Sequence, residues 1–251
     1  MQTYGLIGKN LSHSYSADFF NDKFSTLGLT DVCYHNFPLE SVNDLQKLLL
    51  NNPSIEGLNV TIPYKTQVLS QLDRWDKAVA IIGAANTLKI KRAEGKIKIT
   101  GYNTDYLGFL EALKKIDYKK HKKALILGSG GASKAIAYAL DLLDITYIFV
   151  SRQNKNNKTM LYHNLTQDLI SEYTFIINTT PLGMEPAINS FPDIPYDFIG
   201  NKHLLFDLVY NPEKTVFLNK GLYQNAYICN GLNMLYAQAN YAWKIWNDEG
   251  Y

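Results

Sequence analysis

The run Ala124-Leu-Ile-Leu-Gly128-Ser-Gly130-Gly131-Ala132 sets glycines between an apolar strand and an apolar helix. Gly128 permits a tight turn, and Gly130 lets backbone N–H groups approach a pyrophosphate. The helix start then adds a partial positive charge. Any tight strand-to-helix turn can use glycine, so the neighbouring segments decide the reading. A strand over Ala124 to Leu127, a helix running to Leu143 and a strand over Tyr147 to Val150 follow one another at the distances of a βαβ unit. The segment predicts a Rossmann-like, dinucleotide-binding lobe in an α/β chain, with Gly128, Ser129, Gly130, Gly131 and Ala132 as its turn.

Cofactor choice is carried by the end of the second strand. An NAD site puts Asp or Glu there to accept from the ribose 2′-OH. This chain has Ser151-Arg152-Gln153 and no acid until Asp168. Arg152 can face a 2′-phosphate with its planar donor fork and stack on adenine, which favours NADP. An ordinary surface Arg in a polar loop is the alternative.

Working outward, further strands are expected over Thr174 to Ile177, Leu204 to Val209 and Ala226 to Cys229. The terminal helix would carry Leu232, Leu235, Tyr236, Ala239, Ala242, Trp243 and Trp246 on one broad face. Upstream, Tyr106, Phe109, Leu110 and Leu113 form a helical stripe. The basic stretch Lys119 to Lys123 reads as a solvated linker or, less simply, a nucleic-acid patch. Before it come strands over Thr3 to Ile7, Val32 to Phe37 and Ile55 to Thr61. Helices are expected from about Ala17, with Phe20, Phe24 and Leu27 in register, and over Ser41 to Leu50 behind a Ser N-cap. Asn86 to Ile90 and Ile97 to Tyr102 pair across a Gly95 turn. Strand–helix alternation implies a mostly parallel sheet. The expected organisation is two lobes. Residues 1–103, completed by the helix 232–251, form a mixed-sheet substrate domain, and residues 104–231 form the dinucleotide domain.

Composition agrees with a globular α/β protein. Length alone, 251 residues at about 150 per domain, leaves one large domain or two small ones open. Twenty-five Lys and Arg against 23 Asp and Glu leave +2, without the concentrated basic excess of a nucleic-acid binder. Hydrophobic residues at 46% and charged residues at 19% exclude disordered, fibrous and disulfide-framework classes. Cys33 and Cys229, far apart and without a CxxC, read as two buried thiols in a reducing compartment, ahead of a bridge or metal site. Met1 to Leu11 reads as strand and loop, not as a leader, and no apolar run approaches 18 residues. A cytoplasmic protein with no membrane or nucleic-acid partner and no metal is expected.

Polar residues of the first lobe gather at strand ends, where open α/β sheets bind ligands. Ser14 and Ser16 precede a helix, so hydroxyls and free N–H groups there suit a carboxylate; a simple N-cap at Ser16 explains the residue equally well. Asn59 and Thr61 flank Val60 and so share a face. Asn86 begins another strand. Ile62-Pro63-Tyr64-Lys65 resembles a helix start, which would put Lys65 in the first turn against the positive dipole end. That placement helps a lysine cycle protons, although a solvated surface Lys is the default reading. Asp105, after Thr104, has the bland reading of an acid complementing a helix dipole.

Taken together, these segments resemble the shikimate dehydrogenase family over nearly the whole chain. The resemblance is carried by Tyr4-Gly-Leu-Ile-Gly8, Ser12-His-Ser-Tyr-Ser16, Gly57-Leu-Asn-Val-Thr-Ile-Pro-Tyr-Lys65, Gly83-Ala-Ala-Asn-Thr87 and Gly101-Tyr-Asn-Thr-Asp105. It continues through Gly128-Ser-Gly-Gly-Ala132, Asn178-Thr-Thr-Pro-Leu-Gly-Met184, Asp207-Leu-Val-Tyr-Asn-Pro212 and Gly231-Leu-Asn-Met-Leu-Tyr-Ala-Gln238, all in family order. It implies NADP-linked interconversion of 3-dehydroshikimate and shikimate in aromatic amino-acid synthesis. Lys65 and Asp105 would form the catalytic pair. Ser14 and Ser16 would hold the substrate carboxylate with Tyr210, and Asn59, Thr61, Asn86 and Gln238 would bind ring hydroxyls. The cofactor would take the glycine turn, Ser151, Arg152, Leu208 and Gly231.

The chain departs from the family beside the cofactor. The usual Asn-Arg-Thr clamp reads Ser151-Arg152-Gln153, and Asn156 fills the slot of a further basic residue, for which Lys155 or Lys158 would substitute. Ser151 to Ile176 is short for the family, predicting loss of part of a helix. A quinate/shikimate dehydrogenase and a non-catalytic ligand sensor are the rival readings, and either a monomer or a homodimer is compatible with the chain.

Overall fold

In a computed structural model, residues 1–11, 15–153 and 158–250 are described. The chain runs β1 (Gln2–Gly8), α1 (Ser16–Thr26), β2 (Val32–Pro38), α2 (Leu45–Asn51), β3 (Ile55–Val60), β4 (Arg74–Trp75), α3 (Lys77–Ile82), β5 (Thr87–Ala93), β6 (Lys96–Tyr102) and α4 (Asp105–Leu113). It continues β7 (Lys123–Leu127), α5 (Gly131–Leu142), β8 (Thr146–Ser151), β9 (Thr159–Leu161), α6 (Gln167–Glu172), β10 (Phe175–Asn178), β11 (Leu204–Asp207), α7 (Val216–Tyr223), β12 (Tyr227–Cys229) and α8 (Leu232–Trp246). Residues 1–107 with 238–251 make one compact unit, and 108–237 the other. Both divisions fall inside helices, later than the expected 103/104 and 231/232. The first turn of α4 is bonded into the first unit through Asp105, whereas Phe109, one turn on, packs on Phe175 and Phe206 of the second.

The first unit holds a six-stranded sheet in the order β2-β1-β3-β5-β6-β4. β1 pairs in parallel with β2 and β3, and β4 with β6, while β3–β5 and β5–β6 are antiparallel, so the sheet is mixed, as expected for this lobe. The cause is local. Glu94 and Gly95 take φ of 53° and 72°, the two-residue turn whose twist closes a hairpin. One face packs Ile7, Leu45, Leu49, Leu58 and Val68; the other packs Tyr4, Phe20, Phe24, Tyr34 and Trp246. Trp246 stacks on Tyr4 at 4.7 Å, and its Nε1 donates to the Leu88 carbonyl at 2.9 Å. That contact seats the end of α8 against Gly57, where a side chain would run into the indole.

The second unit holds six parallel strands in the order β9-β8-β7-β10-β11-β12. The order in which strands are added to the sheet reverses between β7 and β10. In doubly wound sheets the crevice at the carboxyl ends of those two strands is where ligands bind. β7, β10 and β11 are buried on both faces, which explains why they read as unbroken apolar runs. Only residues 152–158 connect β8 to β9, fewer than the dozen or more of an ordinary parallel crossover.

Several local expectations change. Ser41 caps a 3₁₀ turn over Val42–Asp44, with Asp44 reaching back to its N–H, and α2 follows. Leu27 sits at the C-cap of α1 and is exposed. The buried face of α8 is Met234, Ala237, Ala239, Ala242, Ile245 and Trp246, while Tyr236 is exposed. No single stripe runs its length, because its two halves belong to different units. Cys33 and Cys229 are free and only half-buried, since each lies on an edge strand of its sheet.

Candidate active site

Lys65 does not open an α-helix. Residues 62–66 form turns after a cis Ile62–Pro63 bond, and the 3₁₀ helix Gln67–Gln71 starts beyond it. The helix-dipole argument for Lys65 therefore falls away. What faces its ammonium is Asp105: Nζ lies 2.6 Å from Oδ2, with 18% and 7% of the two side chains exposed. The turn is fixed from the sheet side, because the Lys65 carbonyl accepts from the Ala85 N–H at 2.8 Å.

Asp105 is the first residue of α4, and its carboxylate is positioned by its neighbours more than by the helix. Asn103 accepts from the Asp105 N–H at 3.1 Å and donates to the Ala84 carbonyl at 2.9 Å, tying the helix start to the turn before Asn86. Asn86 Nδ2 donates to Asp105 Oδ1 at 2.8 Å and to Thr104 Oγ1 at 3.0 Å. Its Oδ1 accepts from the Thr104 N–H at 2.6 Å. Gln238, on α8, brings Oε1 to 3.3 Å from both Asn86 Nδ2 and Thr104 Oγ1. Asn59 Nδ2 donates to the Asn86 carbonyl and to Thr87 Oγ1, each at 3.3 Å, and Tyr34 donates to Asn59 Oδ1 at 2.9 Å. Ser16 hydrogen-bonds the Tyr34 hydroxyl, whose burial holds its pKa well above the ordinary phenol value.

The first unit thus gathers Ser16, Asn59, Lys65, Asn86, Asp105 and Gln238 into one polar cluster. Thr61 stands just past β3, its N–H bonded to the Ile7 carbonyl at 2.9 Å and its methyl against Gly8. Ser14 lies outside the described residues. Tyr210 belongs to the second unit, half-buried in the loop after β11. Tyr34, Thr87, Asn103 and Thr104 are members that the sequence reading missed. The Asn103-Thr104-Asp105 step carries an Asx-type helix start that would have flagged Asn103.

In the second unit, Gly128 follows β7 with φ of 114°, and Thr179 Oγ1 lies 2.7 Å from where a Cβ would sit. Gly130 stands at the N-cap of the twelve-residue α5, which no side chain caps, and the space a Cβ would fill there is open. Uncapped N–H groups beside open space suit a pyrophosphate. Where a third fingerprint glycine would fall, buried Ser133 donates back to the Gly130 carbonyl at 2.6 Å. Ser151 ends β8 with its hydroxyl 3.4 Å from that of Ser129. Arg152 is exposed, and its charge partly offsets the burial that pushes Tyr162 up to about 12. Lys158 lies over the Tyr147 ring, four residues back along β8 and away from the strand end, while Lys155 and Asn156 lie outside the described residues. Gly231 packs directly on the Leu208 carbonyl and donates to that of Val209 at 3.2 Å. The donor set and the open turn fit a phosphorylated dinucleotide. Among the described residues no acidic, His or Cys cluster could hold a metal, and no helix is long and apolar enough to cross a membrane.

A doubly wound sheet with an uncapped glycine turn, in one chain with a paired lysine and aspartate set among buried amides, defines a dinucleotide-linked oxidoreductase. Residues 6–88 match the family model described as the shikimate dehydrogenase substrate binding domain. A shikimate dehydrogenase (NADP(+)) from Clostridium beijerinckii is 39% identical over 257 residues, covering 99% of this chain and 93% of the relative. The crystal structure of shikimate dehydrogenase from Aquifex aeolicus aligns with a TM-score of 0.85 at 32% identity, over 99% of this chain and 93% of that one. The Thermus thermophilus enzyme, solved in complex with NADP(H) and shikimate, aligns at 0.84 and 27% identity, over 99% and 94%. This chain belongs to the shikimate dehydrogenase family.

Proposed function

We propose that this chain is an NADP-linked shikimate dehydrogenase, reducing 3-dehydroshikimate to shikimate and reversing that step, in the pathway to chorismate and the aromatic amino acids. The observation that carries the reading is the 2.6 Å Lys65–Asp105 pair, anchored by Asn86, in a chain whose relatives are NADP-dependent shikimate dehydrogenases. When bound at Gly128–Ala132, Ser151, Arg152, Leu208 and Gly231, NADPH supplies the hydride. Lys65 gives its proton to the oxygen that gains charge as the ketone is reduced. Asp105 holds that ammonium in place and balances the charge as the proton leaves. Asn86 and Gln238, with Asn59 and Thr61, orient ring hydroxyls, and Ser14, Ser16 and Tyr210 take the carboxylate. The protein acts in the cytoplasm as a monomer or homodimer.

The test is loss of NADPH absorbance on adding 3-dehydroshikimate, then gain on adding shikimate or quinate with NADP. Turnover of the first two with little of quinate is expected. Comparable kcat/KM for quinate would assign the broader enzyme, and saturable ligand binding without turnover would assign a sensor.

A further inference from the structure

Asp105 is an acceptor on both oxygens, and that sets the orientation of the Asn86 amide bonded to it. Because Asn86 Nδ2 must donate to Asp105 Oδ1, the Asn86 Oδ1 faces Thr87, whose hydroxyl donates to it at 3.3 Å. Thr87 Oγ1 also lies 3.2 Å from Thr104 Oγ1, where either hydroxyl can be the donor, and it accepts from Asn59 Nδ2 at 3.3 Å. That turns Asn59 Oδ1 toward Tyr34, whose hydroxyl donates at 2.9 Å and in turn accepts from Ser16. Tyr34, Asn59, Thr87 and Asn86 are all buried, so water does not interrupt the series. With the Thr87 proton on Asn86, donors point one way over the whole distance, from Ser16 to the Asp105 carboxylate that pairs with Lys65, and each bond polarises the next.

We infer that Tyr34 is a positioning residue, coupling the hydroxyl of Ser16 to the Asn86–Asp105–Lys65 group so that contact with substrate at Ser16 and orientation of the proton donor are linked. The inference rests on the reading of Ser16 as a substrate contact. A substrate oxygen that takes the Ser16 proton withdraws it from Tyr34 and weakens the series from its far end. Tyr34 does not touch the reacting atoms; it acts through Asn59.

A double-mutant cycle on the full enzyme tests this. Tyr34→Phe removes one oxygen and keeps the ring that stacks on Phe20 at 4.5 Å. Its kcat/KM for shikimate is expected to fall roughly tenfold, the scale of one buried hydrogen bond, with KM for NADP unchanged. Ser16→Ala is expected to raise KM for shikimate, and the double variant to lose little more than the worse single one. Two impaired single variants whose losses multiply would overturn the coupling while leaving Ser16 a substrate contact. Unchanged KM in Ser16→Ala would overturn both the coupling and that reading of Ser16. The same cycle with Thr87→Val, an isosteric break two links along, is expected to show the same overlap. Multiplying losses there would refute the inference even if Tyr34→Phe failed to fold.

Discussion

Asp105 binds Lys65 through Oδ2 at 2.6 Å and leaves Oδ1 to Asn86, so the carboxylate is held at both ends while the ammonium keeps an open side. An ammonium has three donors and Asp105 uses one, which leaves others for a substrate oxygen. Proton transfer from a positioned group is typically worth about 10²–10⁴-fold. Lys65→Ala should accordingly lower kcat by that order while changing KM for shikimate much less. Steady-state kinetics on a variant with unaltered circular dichroism checks this, and near-normal kcat would remove Lys65 from the chemistry.

Arg152 is the one basic residue described at the end of β8, because Lys158 has turned back over Tyr147. A charge-assisted bond to a 2′-phosphate is worth about 1.5–3 kcal/mol, which is roughly tenfold or more in affinity. Arg152→Gln should raise KM for NADPH by at least that factor and leave KM for NADH almost unchanged. Equal losses with both cofactors would show that Arg152 does not read the phosphate.

The dinucleotide lobe was legible in the sequence because buried parallel strands appear as unbroken apolar runs, as in Ala124 to Leu127, and Gly128 marks the turn that ends one. The two-residue hairpin at Glu94-Gly95 was legible for a similar local reason, and it makes the sheet of the first lobe mixed. The short helices α3, α6 and α7 show fewer than three turns of periodicity, and only their caps, Asp76, Thr166 and Thr215, betray them. Lys65 was identified through the wrong physics. Local sequence suggested a helix dipole, whereas its actual partner lies forty residues away. Tyr34 and Thr87 read as ordinary strand formers, because nothing near them in the chain announces a partner on another strand.

Lys89 offers a stability test within the first unit. Its buried ammonium donates to the Ile245 carbonyl at 2.8 Å, at the end of α8, and pairs with Asp248 at 2.6 Å. A cation at a helix C-terminus satisfies orphan carbonyls and complements the dipole. Lys89→Met keeps most of the stem but leaves that carbonyl without its donor, for an expected loss of about 1–3 kcal/mol. Urea unfolding followed by tryptophan fluorescence would report it through Trp243 and Trp246. An unchanged midpoint would show that Trp246 and the aromatic core seat the helix unaided.

Two buried groups of the second unit titrate in opposite senses. Asp207, at the end of β11, is pushed up from 3.8 to about 7 by burial, against the opposing bonds from Thr215, the Val209 N–H and Asn178. His121 is pushed down from 6.5 to about 4, chiefly by burial and then by Lys120; its Nδ1 meets Thr174 Oγ1 at 2.9 Å and its Nε2 is buried without a partner. As pH falls from 7 toward 4, folded Asp207 takes up a proton that the unfolded chain does not, so this group adds stability. Between 6.5 and 4 the unfolded chain protonates His121 while the fold refuses it, so that group removes stability. Each slope approaches about 1.4 kcal/mol per pH unit, and the two largely cancel. Asp207→Asn, compared with the parent protein, should therefore become relatively less stable as pH falls through this window. His121→Asn, whose amide reaches toward Thr174, should become relatively more stable. Urea melts at half-unit pH steps supply both difference curves. Curves that stay parallel to the parent would show that neither buried group carries the shift, and slopes of the same sign would refute the opposition between them.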